Sequence, residues 1–158
     1  MALPVGTPAQ LVDRVLATVA GRIILASDVR AFLELGLHEL GLWDIDEQDP
    51  SAREAAALNR LIERSLALDE VNRFRQASPP AVAIERALAA VRARFADEDA
   101  FAAVLSAVGL DLEDLRQILQ DDIRIEAYIA ERLRGRADLV EDWIAGLLRR
   151  AEVMRVDR

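Results

Sequence analysis

The chain reads as mostly α: a multi-helix domain with a small N-terminal β-hairpin completed by a C-terminal strand. Three observations predict this. Alanine and leucine supply 51 of the 158 residues, while glycine at 7 and proline at 5 are scarce, which favours helices with short connections. Apolar residues recur at helical spacing from Val29 to Leu147. Short β-branched runs lie only near the two ends, around Gly21 and again at Val153 and Val156.

Residues 1–11 hold two prolines, a glycine and no periodicity, so they are expected to form a flexible lead to one domain over 12–158. Val15, Ala17 and Val19 alternate with Leu16 and Thr18, and Ile23-Ile24-Leu25 follows Gly21-Arg22. Two short runs meeting at a glycine predict a β-hairpin, with Gly21 as the residue at positive φ. Ser27 is the expected cap of a first helix starting at Asp28 and carrying Val29, Phe32, Leu33, Leu37 and Leu40. A loop from Leu42 to Asp49 comes next. Asp49 caps a helix from Pro50 to about Phe74, where proline fits the first turn because it has no N–H to lose.

Ser78 and Pro79-Pro80 predict a third start, with a helix running to about Phe95. Asp97-Glu98-Asp99 makes an acidic first turn for a helix that Gly109 ends. Asp111 and Asp114 predict a reciprocal capping pair for a long helix through Leu133, and Asp138 with Glu141 predicts a similar pair for the last one. The stretch from Ala151 to the end reads as a short strand. Returning it to the hairpin is the geometric solution, since an isolated two-stranded hairpin is marginal in water.

A chain of this length supports a core without staples, burying roughly 70% of the surface its unfolded form exposes. It has no cysteine, which excludes disulfides, thiol nucleophiles and thiolate-bound metals. All 20 basic residues are arginine, so lysine Schiff-base and P-loop chemistry are excluded. The net charge is -8, carried entirely by residues 97–142, where 13 acidic side chains face 5 basic ones. Such a chain is a poor match for nucleic acid or an anionic membrane face. No apolar stretch is long enough for membrane insertion. Met1 to Gln10 shows neither the positive region nor the apolar core of a signal peptide.

Little in the sequence points to chemistry. The single histidine, His38, reads as a helix-end residue with Glu34 one turn away. Asp44, Asp46 and Asp49 start like a calcium loop, but positions six and twelve are Asp49 and Ala55 rather than glycine and glutamate. Asp121, Asp122 and Glu126 read as a solvated face. No nucleophile elbow, zinc-protease motif or phosphate-cradling glycine loop occurs. The expectation is therefore a protein that is not an enzyme and has no cofactor and no metal.

Four segments, in order, resemble one family. Val15 to Arg30 is similar to the opening of the SurA-type periplasmic chaperones, with Ala20 where that family commonly has asparagine. Leu61 to Glu70, Gly109 to Arg116 with Ile125 to Ile129, and Val140 to Val153 resemble its later helices and closing strand. The resemblance covers about residues 12–157. Only Arg134-Gly-Arg-Ala-Asp138 stands where such chaperones insert parvulin isomerase domains, so no isomerase domain is expected.

The resemblance implies a periplasmic, ATP-independent module that holds unfolded outer-membrane-type clients. Position in the pattern makes Leu37, Leu40, Leu42, Trp43, Phe74 and Phe95 the candidate client-binding residues. Trp43 is the leading one, because a loop tryptophan flanked by Leu42 and Ile45 suits an apolar partner. The alternative is a structural protein that self-associates, as a homodimer by strand or domain exchange, or binds one dedicated partner.

Overall fold

The computed structural model describes residues 12–156. The expected lead, residues 1–11, lies outside the described residues. The hairpin pairs β1 (Val15–Val19) with β2 (Arg22–Leu25), Val19 standing opposite Arg22. Its two-residue loop holds Gly21 at φ 79° and also Ala20 at φ 47°. Both central residues at positive φ match the twist of the strands, as in a type I′ turn. The sequence pointed to Gly21 alone; Ala20 adopts the left-handed region against its own Cβ, at a cost of roughly 1–2 kcal/mol. At the other end of the chain, β3 (Val153–Arg155) pairs antiparallel with the free side of β1, and the sheet order is β2-β1-β3.

Strand alternation turns Ala17, Val19 and Ile24 inward. They pack on Ile62 and Leu66 of α2 (Pro50–Asn72) and Leu147 of α6 (Ala137–Arg150). On the outer face Thr18 stands between Ile23 and Met154, which are 59% and 68% exposed.

The first helix, α1 (Ala26–Glu34), starts earlier than expected and Ser27 does not cap it. Asp28 Oδ2 accepts from Leu25 N–H at 2.8 Å instead. Ser27 is drawn to Asp13: its hydroxyl donates to one carboxylate oxygen, and its N–H donates to the other at 3.2 Å. These hydrogen bonds hold the Asp13 carboxyl below its ordinary range. The helix also stops short of Leu40. Gly36 takes φ 66°, and a Cβ there would collide with the Arg94 guanidinium. The chain tightens into a 3₁₀ turn at Leu37–Glu39, and Arg94 pairs with Glu39 across the glycine.

Asp49 caps α2 as predicted, accepting from Ala52 N–H at 3.0 Å, with Pro50 in the first turn. Ser78 does not cap α3 (Ala81–Arg92); Pro80 occupies the cap position without a side-chain bond, and the helix ends before Phe95. Asp97 caps α4 (Glu98–Ala107). The reciprocal pair at α5 (Leu112–Arg132) forms as read, with Asp111 and Asp114 exchanging bonds at 2.8 and 2.9 Å. The pair expected at α6 does not. Arg136 holds its cap position, and Asp138 turns back to the Arg136 guanidinium, leaving Glu141 with no capping role.

The long α2 is the spine: it touches α1, α5, α6 and both hairpin strands. One large core of buried side chains joins α1, the turn, α2, α3, α4 and α5. A smaller one lies beneath the sheet.

Candidate functional site

Four of the six candidate residues come together. Leu37, Leu40, Leu42 and Trp43 form one wall of a hollow of about 360 Å³. The kink at Gly36 ends α1 and turns the chain into the 3₁₀ segment, whose following residues face the middle of α3 and α5 across the hollow. Ala83 and Ala87 of α3 and Leu119 and Ile123 of α5 supply the other apolar sides. Small alanines at one helical spacing keep α3 from filling the space.

Burial corrects the part given to two of these four. Leu37 and Trp43 are each only 5% exposed and belong to the main core. They floor the hollow rather than presenting a surface, and Ile45 is buried beside Trp43. Leu40 and Leu42 are half-buried at its rim.

Phe74 and Phe95 lie elsewhere. Phe74 meets the Tyr128 ring at 5.5 Å and is covered by Arg132 at 4.4 Å. Tyr128 in turn stacks on Trp143 at 5.2 Å, so this aromatic column ties the chain just after α2 to α5 and α6. Phe95 packs on Phe101 at 5.6 Å, where α3 meets α4. Each ring has an aromatic partner yet stays half-buried, so both keep some surface, but away from the hollow.

Of the three α5 acids expected to form a solvated face, Glu126 is exposed as expected and the other two are not. Asp121 and Asp122 are not a solvated face; their side chains are 16% and 19% exposed. Asp122 Oδ1 accepts from Arg64 Nε at 2.6 Å, and Arg64 also donates to the Ile118 carbonyl at 3.0 Å. Burial still raises the Asp122 carboxyl, with Arg64 opposing the shift. Glu126, one turn on, is open to solvent on one side. Desolvation and the Asp122 charge raise its carboxyl too. A Cβ on Gly41 would sit 3.0 Å from Glu126 Oε1, which places that carboxylate against the wall turn. Both acids line the hollow, and so does Arg86.

A signal for them was present. Leu115, Leu119, Asp122, Glu126 and Ile129 follow one another at three- and four-residue steps, so two carboxylates interrupt an apolar stripe.

The hollow has few polar groups and one of them lacks a partner. Trp43 Nε1 is buried without a hydrogen bond among the described residues. The indole is near enough to Asp122 to favour its charged form, but the N–H misses hydrogen-bond geometry. Glu126 and Arg86 form no ion pair among the described residues.

His38 is built into the wall from behind, at 2% exposure. Arg53 Nη2 donates to its Nε2 at 2.7 Å, and its Nδ1 faces the Phe32 carbonyl at 3.4 Å. Those partners assign the proton to Nδ1. Arg53 and Phe32 replace Glu34, the partner the sequence pointed to. Of the three loop aspartates, Asp44 accepts from Ile45 N–H at 2.9 Å and Asp49 caps α2, so two of the three serve the turn and the helix start. Among the described residues no helix is long and apolar enough to cross a membrane, and no group of three or more His, Asp or Glu side chains converges as a metal site.

Neither a scan against protein-family models nor a search of the curated proteins finds a match to this chain.

Proposed function

We propose that this protein is a non-catalytic, ATP-independent chaperone module that holds unfolded chains, of the kind its resemblance to SurA-type periplasmic chaperones implies. The observation that carries the reading is the hollow itself. It is concave, mostly apolar and of a size that takes one large side chain with part of its backbone. Its rim leucines, Leu40 and Leu42, retain surface to lose on binding. Asp122 and Glu126 border it, and the acidic charge of residues 97–142 favours a soluble complex.

The test is a titration of the chain into a labelled outer-membrane protein diluted from urea, followed by fluorescence anisotropy. Saturable binding to the unfolded client, with none to a folded control, is the expected result. Trp43→Ala is a poor probe, since Trp43 belongs to the core and its loss costs about 3–5 kcal/mol of folding. Leu40→Asn and Leu42→Asn act at the rim and are expected to weaken binding while the far-UV circular dichroism stays unchanged. Absence of binding at micromolar concentrations would sink the reading. An uncoupled proline-isomerisation assay is expected to stay at background.

A second reading, self-association, draws on the outer sheet face. Ile23 and Met154 flank Thr18 there, and Val156 beyond β3 is also exposed. An apolar row beside two short edge strands suits contact with a second copy. A mass that rises with concentration in light scattering would favour it.

A further inference from the structure

We propose that β2 is a self-pairing edge: two copies of the chain join antiparallel about a two-fold axis at Ile23, and Arg22 of each copy meets Asp28 of the other. The proposal rests on the self-association reading above and names the edge and the register that carry it.

The sheet order β2-β1-β3 leaves the outer side of β2 without a partner strand. The two-residue turn makes Val19 and Arg22 a hydrogen-bonded pair, and bonding alternates from there. Arg22 and Ile24 therefore bond toward β1, while Ile23 turns its N–H and C=O outward. Leu25 points the same way, and its N–H is already taken by Asp28 Oδ2 at 2.8 Å. Ile23 thus offers one donor and one acceptor side by side. Under two-fold symmetry such a residue is its own complement, because the Ile23 N–H of each copy donates to the Ile23 carbonyl of the other. A hollow of about 320 Å³ opens beside this edge, bordered by Arg22, Ile23, Ile24 and Asp28.

Charge selects both the partner and the edge. In this register Arg22 of the second copy stands opposite Ile24 and next to Asp28, whose carboxylate lies along the same edge. Arg22 and Asp28 are both exposed, and neither forms an ion pair among the described residues. Opposite charges at the two ends of one short strand become two matched pairs when that strand meets its own copy antiparallel. The other edge lacks this property. There β3 carries Arg155 and follows Arg149 and Arg150, against the single acid Glu152, so a second copy meets like charge. Ile23, 59% exposed, also meets its copy on the outer face of the joined sheet.

Two hydrogen bonds, one isoleucine contact and two exposed ion pairs bury less than the roughly 1,000 Å² of a stable specific interface. The dimer is therefore weak, with a dissociation constant on the order of 100 µM.

The test is sedimentation equilibrium of the whole chain from micromolar to millimolar concentration at low salt. Arg22→Glu brings like charges together and is expected to weaken self-association about tenfold, as is Asp28→Lys. Mixed in equal amounts, the two variants are expected to recover the unaltered chain's affinity, because each supplies the charge the other lacks. Circular dichroism checks that both fold. Asp28→Lys also removes the acceptor for Leu25 N–H, so a second measurement uses the unaltered chain alone. Hydrogen exchange at the Ile23 amide is expected to slow as concentration rises, while the outward amides of Val153 and Arg155 do not change. A dimer indifferent to both charge changes, a mixture of folded variants no tighter than its parts, or protection at Val153 and Arg155 in place of Ile23 would overturn this edge and leave self-association standing. A mass that stays monomeric to millimolar concentration would overturn both.

Discussion

The helical body and the sheet corner are held in different ways. The body is a large core to which five helices and the 3₁₀ turn contribute, joined by three aromatic contacts: Phe95 on Phe101, Phe74 on Tyr128 and Tyr128 on Trp143. The corner buries only Ala17, Val19, Ile24, Ile62, Leu66 and Leu147. It is closed by β3, which arrives from the far end of the chain. Many mutually supporting contacts make the body one cooperative unit. The corner has fewer, and one of its three strands is three residues long. It should therefore open below the global unfolding free energy. The hollow sits on the body, and the outer apolar row sits on the corner.

The sharpest way to break this comparison is at Phe101, which is 1% exposed. Phe101→Ala is expected to cost about 3–5 kcal/mol and to lower the single unfolding transition in urea for every probe. Leu147→Ala, in the corner, is expected to cost less, about 2–3 kcal/mol. Its signature is local: hydrogen exchange at Ala17 and Val19 accelerates while α5 amides hold. Acceleration of both to the same degree would mean the corner and the body are one unit.

Asp122→Asn comes next, at about 2 kcal/mol, because it leaves Arg64 largely buried and unmatched. Arg64→Met with Asp122→Leu is expected to recover most of that loss, since burial works against the Asp122 charge even in the presence of Arg64. Thermal melts of the two singles and the double measure the coupling. The smallest effect is a gain. Ala20→Gly is expected to stabilise the hairpin by about 1 kcal/mol, because glycine adopts φ 47° without a Cβ clash. A loss of stability there would show that the strain at Ala20 is illusory.

Much of the frame was legible from residue order. Asp49-Pro50, the Asp111–Asp114 pair and the glycine of the hairpin each act within three or four residues, where spacing alone defines partners. The return of the last strand was legible too, because a hairpin needs a third element. Ser27 and the Asp138–Glu141 pair misled for one reason. Each had a local role available and a stronger partner outside that pattern: Asp13 for Ser27, and Arg136 for Asp138.

The candidate site was half legible. Leu37 to Trp43 formed a group because they are adjacent in sequence. That Phe74 and Phe95 lie apart from them was not legible, because only folding sets which distant apolar residues share a hollow.

The sequence by itself determined the mostly helical class, the helix starts with aspartate caps and the absence of thiol and lysine chemistry. Those follow from short-range hydrogen bonding, periodicity and composition. Tertiary structure alone decided which leucines keep a rim, that Trp43 lies in the core and that Asp122 is paired while Glu126 is not. Arg64 and Asp122 are 58 residues apart, and only the packing of α2 on α5 brings them within 2.6 Å. Whether a side chain is matched depends on the neighbours that folding brings to it, and those neighbours are set by geometry rather than by order along the chain.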